Sequence, residues 1–172
     1  MRRLSVILGL ASVLAVPAAA LAAQTAAGDG SLVVRNGQAP WPSTTPVVAL
    51  TITGSVIGEV GGYGKLVIDA GPNATGSQEP LVTGAGLPSD SSRSPTAQVW
   101  KATDFTFRAV GGTYTVLVYG TGVNLVAVGS GTVKLAGFPD TPVGDGKYSL
   151  NGGDFLSLPG TQTDKRVIGS NG

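Results

Sequence analysis

The chain has 172 residues, and the first 22 have the make-up of a removable export segment, leaving about 150 for a single folded domain. Those 150 contain no cysteine and no histidine, which excludes disulfide frameworks, Cys or Cys/His zinc sites, c-type haem attachment, thiol nucleophiles and any Ser-His-Asp triad. Without Arg2 and Arg3 the balance is nine basic to ten acidic residues, spread along the chain, so there is no basic stripe to neutralise phosphates and nucleic acid is not an expected partner.

Arg2 and Arg3 precede the apolar run Leu4 to Val16, and Ala20-Leu21-Ala22 closes it with the small-x-small pattern of a cleavage site. The run is short for a bilayer span, no second apolar stretch follows, and no cysteine is available for a lipid anchor. The expected location is therefore the extracellular space or the cell envelope, reached through a cleaved signal at 1–22. A flexible N-terminus is expected over 23–30, a single β-domain over 31–159 and a flexible tail over 160–172.

Glycine and proline supply 36 of the 150 residues and leave a single window longer than eight residues free of both, Thr96 to Val110. Helices have nowhere to form, and the abundance of threonine and valine favours strands. A first strand is predicted over Ser31 to Arg35. Pro40-Trp41-Pro42 and Pro46 then make an extended crossing. In the next segment Leu50 and Ile52 alternate with Thr51 and Thr53, and after Val60-Gly61-Gly62-Tyr63 a further strand sets Leu66 and Ile68 against Lys65 and Asp69. The Gly61-Gly62 pair reads as a hairpin turn, because a type I′ turn needs positive φ at both central residues.

The stretch 71–95 reads as a long surface connection with room for one short edge strand. Phe105, Phe107 and Ala109 alternate with polar residues, and Gly111-Gly112 reads as a second hairpin turn leading to Tyr114, Val116 and Val118. That last strand is apolar on both faces and is expected to be central. Further glycines bound Val123 to Val128 and Thr132 to Leu135, so 104–136 is predicted to form a four-stranded meander. After Pro139 and Pro142 a short strand is predicted over Lys147 to Leu150. About nine short strands point to an all-β fold, an antiparallel β-sandwich, with a small closed or partly open barrel as the alternative.

Few motifs carry chemistry. Leu158-Pro159-Gly160-Thr161 starts like a sortase signal, but Gln162 stands where that signal has glycine, so an ordinary proline turn is the better reading. Asn73-Ala74-Thr75 fits the N-glycosylation pattern. Asp140, Asp145 and Asp154 lie around glycine-rich turns that could hold calcium, although their spacing matches no calcium loop and Asp and Gly are the ordinary residues of turns. Trp41, Trp100, Tyr63, Tyr119 and Tyr148 could stack on sugar rings, with Trp41 expected at the surface and Trp100 and Tyr114 in the core. Ten acids allow a carboxylate-dependent glycan hydrolase, yet nothing picks out a pair.

The segments Val110-Gly111-Gly112-Thr113-Tyr114, Gly120-Thr121-Gly122-Val123-Asn124-Leu125, Ala127 to Val133 and Gly146-Lys147-Tyr148-Ser149-Leu150-Asn151-Gly152 resemble a group of secreted, glycine-rich proteins from actinobacteria, and Leu158-Pro159 fits the same pattern. The resemblance spans roughly residues 104 to 159 and implies export and a β-rich fold, with no activity and no functional residue attached. The expected function is a non-enzymatic binding or structural module that uses no cofactor and takes an envelope polysaccharide or protein as partner. The alternatives are a carbohydrate-binding module centred on Trp41 and the carboxylate hydrolase.

Overall fold

The computed structural model describes residues 29–39, 43–71, 77–90, 94–137 and 146–169. Eight strands form among them and no helix: β1 (Gly30–Ala39), β2 (Val48–Asp69), β3 (Leu81–Thr83), β4 (Ser89–Asp90), β5 (Ala97–Leu135), β6 (Lys147–Leu150), β7 (Leu156–Ser157) and β8 (Arg166–Ile168). All pairings are antiparallel. β5 is 39 residues long. Drawn straight it would span about 130 Å at 3.3 Å per residue, several times the diameter of a domain of this size, so it has to bend.

The pairing shows where. Val118 of β5 lies between Val48 and Leu66, both of β2, and Val48 in turn lies between Val118 and Leu135. β2 and β5 therefore wind around each other, and each passes between two layers. One layer runs β4, 97–103, 64–69, 115–120, 48–53, 130–135, β8. The other runs β3, 105–110, 55–60, 123–128, β1, β6, β7. The expected all-β, sandwich-like fold is what forms, and it is not closed into a barrel. A strand that changes layer through a bend or bulge makes the corner of such a sandwich.

One corner contains Gly54, Gly111-Gly112 and Gly129, and the other contains Gly61-Gly62, Asp104 and Gly120-Thr121-Gly122. The two-glycine hairpins expected from the sequence do not form. A strand residue has only two edges, and Arg108 uses both, on Ile57 and Leu81, so it cannot face Thr115 as a hairpin about Gly111-Gly112 requires. Gly58 likewise uses both edges, on Phe107 and Leu125, and has none left for Lys65. The four-stranded meander over 104–136 fails for the same reason, since its segments pair with other strands and not with one another. Gly111 and Gly112 do have positive φ (65° and 105°), but they spend it on a bulge in which the two of them oppose the single residue Gly54. Neither Gly61 nor Gly62 has a positive φ.

Alternation along the strands is as expected from the sequence: Leu50, Ile52, Leu66, Ile68, Phe105, Phe107, Val133 and Leu135 are all buried. They join residues of both layers in one core cluster. Asp104, a non-glycine residue with φ of 52°, stands alone opposite Gly61 and Gly62, and at this bulge the inward set of β5 shifts from the Trp100 phase to the Phe105 phase. The Tyr114 strand is central as expected, flanked by 48–53 and 64–69. Tyr114 is wholly buried, and its hydroxyl lies 2.7 Å from the Gly111 carbonyl, 3.1 Å from that of Val110 and 2.9 Å from that of Gln78, so its one proton is shared between the bulge and the segment that precedes β3.

Two expectations about the flanks change. Among its described residues the 71–95 connection holds two short strands, β3 and β4. Over its described residues, 160–169, the tail is docked, not frayed: β8 pairs with 131–133, Thr163 N donates to Leu135 O (2.8 Å) while its hydroxyl accepts from Leu135 N (3.0 Å), and Ile168 is wholly buried. Burial of one such side chain stabilises by about 1.5–3 kcal/mol.

At the end of β2 the Asp69 carboxylate accepts hydrogen bonds from Thr96 Oγ1 (2.6 Å) and Gly71 N (2.8 Å), tying the strand to the turn that opens β5. The Thr96 hydroxyl above all, then the Gly71 amide and the Ser94 hydroxyl, hold its pKa below the ordinary aspartate value against partial burial, which raises it. Because the folded pKa is the lower one, this stabilisation is present above the unfolded pKa of about 3.9 and fades as pH falls through the folded value. Asp69→Asn is expected to lower stability at pH 7 and to leave a shallower acid slope below about pH 4, measured by urea midpoints across pH. An unchanged slope contradicts the assignment.

The corner makes a second prediction. A Cβ on Gly54, whose φ is 149°, would stand 2.1 Å from the Val128 carbonyl oxygen, whereas one on Gly152 (φ 74°) would meet nothing within 4 Å. Gly54→Ala is expected to cost about 3 kcal/mol or more and Gly152→Ala about 1 kcal/mol. Equal urea midpoints for the two variants would contradict the tight corner.

Candidate binding groove

The outer face of the second layer carries a concave surface built on paired strands. Alternation turns Ile57 and Glu59 of β2, Thr106, Arg108, Asn124 and Val126 of β5, and Val33 and Arg35 of β1 outward. Register then sorts them into two rows across the sheet. In one row Arg108, Ile57, Val126 and Val33 are successive partners, and in the other Thr106, Glu59 and Asn124 are. The first row is apolar at its centre and the second is polar. Together they line a groove of about 490 Å³ whose members include Arg35, Ile57, Glu59, Asn124 and Val126.

The polar row is internally fixed. Asn124 Nδ2 donates to Glu59 Oε1 (2.9 Å), and Asn124 Oδ1 accepts from the Asn36 backbone N–H (2.8 Å). At the rim the Arg35 guanidinium lies 4.4 Å from the centre of the Phe155 ring, a cation–π contact that holds it beside the groove. The apolar row stays open to solvent: Ile57 is 40% and Val126 43% exposed, both in the middle of a paired sheet. Aliphatic side chains left bare there, framed by ordered polar groups, have the character of a recognition surface. A larger depression of about 640 Å³ lies between 79–88, Gln98 and Trp100. Its walls come mostly from a connecting segment and not from the paired scaffold that makes a site precise.

The residues singled out from the sequence fall elsewhere. Trp41, Asp140, Asp145 and Asn73 lie outside the described residues, and Asp154 is exposed. Among the described residues no group of three or more acidic side chains is arranged to hold a metal ion. Trp100, Tyr114, Tyr119 and Tyr148 are buried, which leaves Tyr63, 48% exposed, as the tyrosine at the surface and brings no stacking platform together. Leu158 is buried, and the Pro159 carbonyl accepts from Gly137 N (2.6 Å), so the sortase-like tetrapeptide is built into the fold, with a bend at Gly160-Thr161. Gly61, Gly62, Gly111 and Gly112 all sit at corners.

The groove residues were not singled out in the sequence. The signal was present in Val123 to Val128, where Val126 and Val128 make the outward phase apolar as well. Comparison of the chain with family models, with curated proteins and with solved structures found no significant match.

Proposed function

We propose that the protein is an exported, non-enzymatic binding module of the extracellular space or cell envelope, which holds its partner on the groove of the second layer. The observation that carries this reading is the pair Ile57 and Val126, exposed on adjacent central strands and flanked by the fixed Glu59–Asn124 pair. The apolar centre with a polar border is the arrangement of protein recognition surfaces, which favours an envelope protein as the partner. The export segment and the resemblance to secreted actinobacterial proteins support the location.

The alternatives have less support. A glycosidase needs two carboxylates flanking a sugar bond, and Glu59 is the one acid lining the groove. The carbohydrate-binding module centred on Trp41 loses Trp100, Tyr119 and Tyr148 as stacking faces to burial, while Trp41 itself lies outside the described residues.

The test is a double variant, Ile57→Glu with Val126→Glu, both outward positions whose change leaves the core alone. The variant is expected to unfold within about 1 kcal/mol of the parent and to lose retention on isolated envelope protein from the source cells, with no retention of either form on purified peptidoglycan or cellulose. Equal retention of parent and variant would overturn the proposed face, and retention on polysaccharide alone would overturn the choice of partner.

A further inference from the structure

Two Asn-Gly pairs lie among the described residues, Asn36-Gly37 and Asn151-Gly152, and in both the asparagine has a positive φ, 50° and 52°. Asn-Gly is the dipeptide most prone to spontaneous deamidation, because no side chain on the second residue obstructs attack by its backbone nitrogen on the asparagine side chain. The two pairs are held differently. Asn151 is clasped through its amide: Nδ2 donates to Val167 O (3.2 Å) and Oδ1 accepts from Gly169 N (3.0 Å). Asn36 is exposed, its backbone N–H donates to Asn124 Oδ1, and among the described residues its side chain makes no hydrogen bond.

We infer that Asn36 is a site of deamidation built into the fold. The Gly37 nitrogen, losing its proton, bonds to Asn36 Cγ, the Cγ–Nδ2 bond breaks, and ammonia leaves with that proton. Water then opens the five-membered imide, giving aspartate if it adds at Cγ or isoaspartate if it adds at the backbone carbonyl. Water is the one co-reactant, and nothing is oxidised or reduced.

The fold imposes the labile pair. Val34 pairs with Leu125 and Gly37 with Val123, so Arg35 and Asn36 together face the single residue Asn124 in a bulge. The left-handed backbone at 36 favours asparagine or glycine. A Cβ at 37 would stand 2.5 Å from Val47 Cγ1, in the core, so any residue larger than glycine would force the core to shift. Reaction at 36 also reaches the groove, since the Asn36 N–H holds Asn124 and Asn124 holds Glu59. Isoaspartate lengthens the backbone by one methylene at that point and adds a negative charge beside Arg35. This consequence for binding rests on the function proposed above, whereas the reaction itself does not.

The test is peptide mapping by mass spectrometry of the intact folded protein during incubation at pH 8 and 37 °C, with isoaspartate scored by retention time and fragmentation. The gain of one mass unit is expected at Asn36 about tenfold faster than at Asn151, whose two amide hydrogen bonds must break before it can cyclise. In urea-unfolded protein the two rates should converge, and Asn36→Gly should remove the reaction at 36 with the domain still folded. Equal native rates at the two sites, or faster reaction at Asn151, would overturn the inference. So would a native Asn36 that stays intact while unfolded Asn36 reacts.

Discussion

The fold depends on the approach of backbone to backbone at its two corners. A side chain on Gly54 would stand 2.1 Å from the Val128 carbonyl, one on Gly129 would stand 2.2 Å from that of Thr53, and one on Gly131 would stand 2.1 Å from that of Thr51. At the opposite corner a Cβ on Gly64 would lie 2.5 Å from the Tyr119 carbonyl. No residue with a side chain fits at these places, and glycine alone takes the φ of 149° and 144° at Gly54 and Gly129 without cost. Because the corners close this tightly, two strands can wind through both layers and still bring their apolar faces into one core. Tyr114 completes the first corner by giving its buried hydroxyl to the carbonyls that the bulge leaves exposed.

This arrangement explains which parts of the sequence were legible. Alternation is a local signal, and it located the inward faces of Leu50 to Ile52, Leu66 to Ile68 and Phe105 to Ala109, because period two survives wherever a strand has one buried face. Connectivity is not local. A pair of glycines permits positive φ, but positive φ serves a hairpin reversal and a layer-changing bulge equally, and the choice is made by which distant strands occupy the two edges. Arg108 faces Ile57 and Leu81 across separations that no local pattern encodes. The tail reads as polar and exposed up to Arg166, and its docking depends on Ile168 finding a gap in the core, again a matter of tertiary packing.

The groove follows from the same winding. β2 and β5 place Ile57 and Val126 side by side on the outer face, although 69 positions separate them in the chain, and β1 adds Val33 at the next position. An outward isoleucine or valine taken singly is ordinary on a protein surface. Their alignment into a row, with Glu59 and Asn124 fixed beside them, is a property of the register and was invisible until the register was known. Aromatic content pointed toward sugar stacking, but among the described residues Trp100, Phe105, Phe107, Tyr114, Tyr119 and Tyr148 go to the interior, and Tyr63 and Phe155 are the aromatic side chains that stay exposed.

The measurement closest to the central claim is the network of cross-strand proton contacts seen by solution NMR of the folded domain. Winding of β2 and β5 through two layers predicts contacts from Val118 to both Val48 and Leu66, and from Arg108 to Ile57 and Leu81. A contact between Arg108 and Thr115, with none from Val118 to Leu66, would mean that the chain turns back at Gly111-Gly112 and would contradict the account.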